Sequence, residues 1–123
     1  MAAPVVHFEI MGKDGLKLQK FYAELFGWKI QNMAEMGNYG MSETGANGDK
    51  IGRGSIDGGV GGTQPGAPNY VTVYIQVKDI DSHLKKISGM GGKTLVPKTV
   101  IPNVVTFAQF SDPEGNVVGL VEG

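Results

Sequence analysis

The sequence predicts an α+β fold built from two tandem βαβββ modules in one domain, at about residues 5–62 and 69–122. Two observations predict it. Short β-branched runs and amphipathic helical stretches follow the order strand, helix, three strands, and they do so twice. Landmark residues also recur at one spacing: a shift of 65 places puts Asp14 on Asp79, Gly27 on Gly92 and Asn38 on Asn103. The same shift puts Leu25 on Met90 and Ile30 on Leu95. Few identities survive it, so the matched order of elements, with helix-ending glycines in register, is what marks an internal duplication.

Each element has its own justification. Val5 to Ile10 is short, β-branched and aromatic, and reads as a strand. Asp14 is placed to cap a helix, because its carboxylate can accept from the orphan amides of the first turn. Leu18, Phe21, Tyr22, Leu25 and Phe26 then fall at helical spacing and form one apolar stripe, expected to pack on a sheet. Gly27 supplies the left-handed residue that ends the helix. Trp28 to Gln31 and Tyr39 to Glu43 read as strands, Asn47-Gly48 as a turn, and Ile51 to Ile56 as a fourth strand weakened by its glycines.

A polar connection rich in proline and glycine, Gly62 to Pro68, leads into the second module. Tyr70 to Val77 is a strong strand. Asp79 or Asp81 caps a helix that carries Ile80, Leu84, Ile87 and Met90 on one side, and Gly91-Gly92 closes it. Thr94 to Val96, Val104 to Phe110 and Val117 to Val121 complete the set, with Asp112-Pro113-Glu114-Gly115-Asn116 as the last turn.

Composition narrows the function. Twenty glycines in 123 residues is about twice the usual share, and nine of them lie between Gly45 and Gly66. This local excess excludes a collagen-like repeat, and 41% apolar residues with a net charge of -1 argue against wholesale disorder. With no cysteine there is no thiolate zinc site or thiol nucleophile, and two histidines exclude a three-histidine metal site within one chain. Eleven basic against twelve acidic residues leave no electrostatic footprint for nucleic acid. No apolar run approaches the ~20 residues of a membrane helix. The opening Met1-Ala2-Ala3-Pro4 lacks the core of a signal peptide, so a soluble cytoplasmic protein is expected.

Three segments, in this order, carry a family resemblance: His7-Phe8-Glu9-Ile10, Phe21-Tyr22-Ala23-Glu24-Leu25-Phe26-Gly27-Trp28, and Asp112-Pro113-Glu114-Gly115-Asn116. On a duplicated frame they resemble the vicinal oxygen chelate superfamily: glyoxalases, extradiol dioxygenases, fosfomycin-modifying enzymes and bleomycin-resistance proteins. The resemblance covers essentially the whole chain and is nearest the glyoxalase-like, lactoylglutathione-lyase-related branch. It implies a curved, cup-like mixed sheet with helices outside, and a dimer. In metal-dependent members, one ligand comes from the first strand and one from the last strand of each module. The bound metal stabilises an enolate-like intermediate.

By that resemblance His7 stands at the first ligand position. Its counterpart is Thr72, with Val73 beside it if the register slips by one. The two last-strand carboxylates are replaced by Gly119 and, under the constant shift, by Gly54. No metal or other cofactor is therefore expected, a lone divalent ion on His7 being disfavoured.

Strand alternation puts His7 and Glu9 on one face, and the shift maps them to Thr72 and Tyr74. Two readings stand side by side. These four residues form the polar floor of a small-molecule pocket, or His7 and Glu9 satisfy one another in a partly wet core. The function expected is that of a glyoxalase/bleomycin-resistance-like protein of unassigned activity that binds a small molecule without a complete metal site. The alternative is an enzyme related to lactoylglutathione lyase or the dioxygenases, with His7 as base or lone metal ligand and Glu9 as its orienting partner. Expected partners are a small-molecule ligand or substrate and a second copy of the chain in a homodimer, with neither nucleic acid nor membrane.

Other motifs read as structural. Gly89 to Thr94 ends like a phosphate-binding loop but leaves a helix rather than entering one. His83 belongs to the outer helix layer. Trp28 anchors helix to sheet, and Met33, Met36 and Met41 read as ordinary packing. The two acids of the Asp112 turn are explained by the turn itself.

Overall fold

A computed structural model of the chain describes residues 2–45 and 55–123. Two compact units divide the chain: His7–Val71 forms one, and Met1–Val6 with Thr72–Gly123 forms the other.

The first unit contains β1 (Val5–Gly12), α1 (Gly15–Phe26), β2 (Lys29–Met33), β3 (Tyr39–Glu43) and β4 (Gly58–Gly62), with a short 3-10 turn at Ala34–Met36. The strand order is β2-β3-β4-β1. β4 runs antiparallel to β3 and parallel to β1, so the pairing is mixed. Asp14 caps α1 by accepting from the Lys17 amide at 3.1 Å, and Gly27 ends it at φ 73°.

What holds α1 to its sheet is unlike the expected apolar stripe. Its buried residues are Gly15 and Gln19, whereas Phe21, Leu25 and Phe26 are each more than half exposed. The reason is the glycine-rich β4: a Cβ on Gly15 would run into the backbone of Gly61 and Gly62, so helix and strand meet main chain to main chain. The Gln19 amide then reaches in to donate to the carbonyls of Val60 (3.0 Å) and Asn38 (2.9 Å) and to the Asn32 side chain (3.0 Å). At the far end of the helix, Trp28 stacks on Tyr22 and Phe26 and meets Phe8 of β1, tying helix to sheet.

The fourth strand lies later than its sequence reading. It spans Gly58–Gly62, while residues 55–57 are not strand; the rest of the expected strand and the Asn47-Gly48 turn lie outside the described residues. Glycine depresses strand propensity, but here it lets both faces of β4 be closely covered, and four of its five residues are buried.

The second unit contains β5 (Tyr70–Val77, of which Tyr70 and Val71 belong to the first unit), α2 (Ile80–Gly89), β6 (Lys93–Ile101), β7 (Val105–Ser111) and β8 (Val117–Glu122) in the order β5-β8-β7-β6. β5 and β8 are parallel and the other pairs antiparallel. Asp79, not Asp81, is the cap of α2, accepting from the Ser82 amide at 3.2 Å. Glu122 of β8 accepts from the Ile80 amide at 2.9 Å. That bond, with Lys98 3.3 Å away, holds the Glu122 carboxyl below its ordinary range. Val77, Ile80, Leu84, Ala108 and Leu120 form an apolar core, while Met90 at the end of the stripe is exposed. The last turn closes on Asp112, which accepts from the amides of Glu114 and Asn116.

The duplication shows in the backbone. Among the described residues, Asn38 (φ 63°) and Asn103 (φ 64°) are the two non-glycine residues with positive φ. Each precedes the third strand of its unit, where asparagine tolerates the left-handed turn.

Candidate functional site

In the first unit, alternation along β1 puts His7 and Glu9 on the face opposite α1. Glu9 pairs with Gly59, Gly59 with Met41 and Met41 with Gln31, so one row crosses all four strands. Tyr39 lies over this row and links its neighbours. Its hydroxyl donates to Glu9 Oε2 at 2.8 Å and lies 2.8 Å from His7 Nε2, while Tyr70 donates to Glu9 Oε1 at 2.7 Å. Glu9 is buried, and a buried carboxylate needs such donors.

The proton positions follow from the chemistry. A carboxylate accepts and cannot donate, so the single Tyr39 proton goes to Glu9 and the phenol oxygen accepts from His7 Nε2–H. Burial lowers the His7 imidazole below the ordinary 6.5, against the opposing pull of the Glu9 and Asp57 carboxylates. The imidazole of His7 is thus shifted towards its neutral form.

Beside this chain of hydrogen bonds the face opens into a cleft of about 260 Å3, lined by His7, Lys29, Gln31, Met41, Glu43 and Asp57. A second hollow lies at the start of α1, where the Asp14 carboxylate already caps the first turn.

In the second unit the corresponding row is Tyr74, Gly119, Gln109 and Val96. Gln109 donates to the Tyr74 hydroxyl at 2.8 Å. Thr72 is buried and donates its hydroxyl to the carbonyl of Val117.

The ladders correct one assignment. Gly119 is paired with Tyr74, and the residue paired with the equivalent Glu9 is Gly59, not Gly54, which lies outside the described residues. A constant shift fails here because the first unit has the longer run between its first and last strands. Both glycines lie under tyrosines: a Cβ on Gly59 would run into the Tyr39 ring, and one on Gly119 into the Tyr74 ring.

The candidate metal donors, taken unit by unit, are already engaged within the protein. Each last-strand position is a glycine closed over by an aromatic ring, His7 Nε2 and both Glu9 oxygens are engaged with phenols, and the Thr72 hydroxyl is engaged with backbone. Among the described residues no three His, Asp or Glu side chains are grouped as metal ligands.

Sequence reasoning missed Tyr39, Tyr70, Asp57 and Gln109. The signal for Tyr39 was Gly59 itself, since a glycine in a packed strand makes room for a large neighbour. His83, set aside from the sequence, is on α2 with Nδ1 2.9 Å from the Asp79 carbonyl, within the helix's own first turn.

Comparison with known proteins agrees with this architecture. Residues 5–45 match the family described as bleomycin resistance protein-like N-terminal. The chain is 27% identical over 117 residues to the anthracycline biosynthesis protein DnrV of Streptomyces peucetius, covering 88% of this chain and 42% of that protein. It is 33% identical over 73 residues to CFP32 of Mycobacterium tuberculosis, provisionally named a glyoxylase, covering 59% of this chain and 28% of that one. The chain thus spans less than half the length of the curated relatives it matches.

Two solved structures superpose over nearly the whole chain. A glyoxalase/bleomycin resistance protein/dioxygenase superfamily member from Vibrio splendidus gives a TM-score of 0.62 at 15% identity, covering 99% of this chain and 100% of that one. Methylmalonyl-CoA epimerase of Streptomyces coelicolor, in complex with 2-nitronate-propionyl-CoA, gives 0.67 at 16%, covering 100% and 96%. The chain has the vicinal oxygen chelate fold, that of the glyoxalase, bleomycin-resistance and dioxygenase superfamily. No helix among the described residues is long and apolar enough to cross a membrane.

Proposed function

We propose that this is a glyoxalase/bleomycin-resistance-like binding protein that takes a small molecule on the His7–Glu9 face of its first unit, without a metal or other cofactor. One observation carries the reading: a cleft of about 260 Å3 opens beside a buried polar network of His7, Tyr39, Glu9 and Tyr70. A recess with a few fixed polar groups and an apolar wall, here Met41, has the make-up of a ligand site. Thr72 and Tyr74 supply the equivalent face of the second unit. The protein is proposed to act in the cytoplasm as a homodimer, with neither nucleic acid nor membrane as partner.

A second reading, a metal-free enzyme with His7 as base and Glu9 orienting it through Tyr39, is favoured by the Tyr39 hydroxyl, which stands 2.8 Å from both His7 Nε2 and Glu9 Oε2. Neutral imidazole is the form that accepts a proton.

The test is a fragment screen by amide NMR on chelator-treated protein, alongside elemental analysis and thermal shift with nickel, zinc, manganese and iron(II). The expected outcome is binding that shifts Lys29, Met41 and Asp57 and is weakened by His7→Ala, with no stoichiometric metal. Near-stoichiometric metal lost on His7→Ala, or fragments that bind elsewhere, would overturn it. Proton exchange at an acidic C–H of a bound fragment, abolished in His7→Gln, would favour the enzyme.

A further inference from the structure

The outer face of α1 carries an exposed aromatic ring, Phe21, where its duplicate carries Lys86. Phe21 is 56% exposed and Leu25 59%, a full turn of large apolar surface beside the exposed charges of Lys17, Lys20 and Glu24. The fold does not require this. The position matching Phe21 on the second helix is Lys86, while the one matching Leu25 is Met90, exposed and beyond the end of α2. Exposed apolar side chains grouped on one element and rimmed by charge mark an interaction surface.

The charges around Phe21 say what covers it. Lys17, Phe21 and Glu24 fall at i, i+4 and i+7, on one exposed stripe two turns long. Lys17 is in the first turn and Glu24 in the last, and α1 has no acid in its first turn and no base in its last. Both charges therefore oppose the helix's own dipole. A second copy of α1 laid antiparallel, with a two-fold axis beside Phe21, reverses this. Each Lys17 then faces the partner's Glu24 at the end of the partner's helix, and the two Phe21 rings meet at the centre. Such a self-complementary patch is what a two-fold interface demands.

We propose that the Lys17–Phe21–Glu24–Leu25 face of α1 is the surface through which two copies of this chain pair, antiparallel and across a two-fold axis. This rests on the homodimer reading and adds its surface and geometry. It is independent of the cleft, which opens on the opposite side of the first unit's sheet.

Sedimentation of the full chain over a range of concentrations tests it. Wild type is expected to show a concentration-dependent dimer, weakened at least about tenfold by Phe21→Lys, with an unchanged circular dichroism spectrum. Lys17→Glu and Glu24→Lys should each weaken pairing alone, and the two variants mixed should form a heterodimer. A dimer indifferent to all three substitutions would overturn the surface and leave the homodimer standing. A wild-type chain that is monomeric at every concentration would overturn both. A dimer broken by Phe21→Lys but with no heterodimer on mixing would overturn the antiparallel geometry.

Discussion

The two βαβββ units solve one problem, fixing a helix to a mixed sheet, by opposite means. In the second, α2 inserts Ile80 and Leu84 into an apolar core with Val77, Ala108 and Leu120. In the first, the matching positions are Gly15 and Gln19, and the helix is held by main-chain contact and by an amide that serves two backbone carbonyls. Hydrophobic burial is non-directional, whereas hydrogen bonds require their geometry. The second unit thus fastens its helix through an apolar core, and the first adds directional bonds to the packing around Trp28. The cleft and the His7–Tyr39–Glu9–Tyr70 chain are found in the first.

Substitutions at matched positions can break this contrast. The largest effect is expected from Leu84→Ala, which opens a cavity in the apolar core and should cost about 3 kcal/mol in a urea titration. Next comes Gln19→Leu, which gives the first unit the residue the second carries. Were apolar contact enough, it would be neutral. With the Asn38 and Val60 carbonyls losing their donor, a loss of about 2 kcal/mol is expected instead. A Gln19→Leu variant as stable as wild type would end the distinction between the units.

Tyr39→Phe keeps the ring over Gly59 and removes only the hydroxyl, so about 1.5 kcal/mol is expected, with little change in the sheet. Loss of fragment binding in this variant, with the chain still fully folded, would place Tyr39 in the binding machinery as well as the core.

The smallest effect concerns pH. The His7 value is lowered on folding, so the unfolded chain takes up the proton first as pH falls below about 6.5. Stability tied to neutral His7 is present above that value and declines on acidification through the window below it. His7→Gln should flatten this part of the stability–pH curve, and an unchanged slope would show that His7 is not the group responsible.

Much of the frame was legible in the sequence because it is encoded locally. Asp14 and Asp79 cap their helices, Gly27 ends the first, and Asn38 and Asn103 make matching turns, all through interactions within a few residues. The site was legible in part. Alternation placed His7 with Glu9 and Thr72 with Tyr74, because period two is a property of any strand. Tyr39 and Tyr70 could not be read in the same way: they reach Glu9 from 30 and 61 residues away.

The glycines show the same boundary. Their excess was a property of composition, but which of them stands opposite Glu9 depended on where β4 paired. A shift measured at the helices pointed to Gly54, and the ladder put Gly59 there.

By itself the sequence determined the duplicated order of elements, their caps and turns, and the pairing of residues along each strand, since backbone chemistry acts over a few residues. The tertiary structure decided three further things: that β4 begins at Gly58, that Gln19 rather than Phe21 faces the sheet, and that tyrosines close over Gly59 and Gly119. Each depends on which distant backbone comes within contact, and close packing settles that only once the chain has folded.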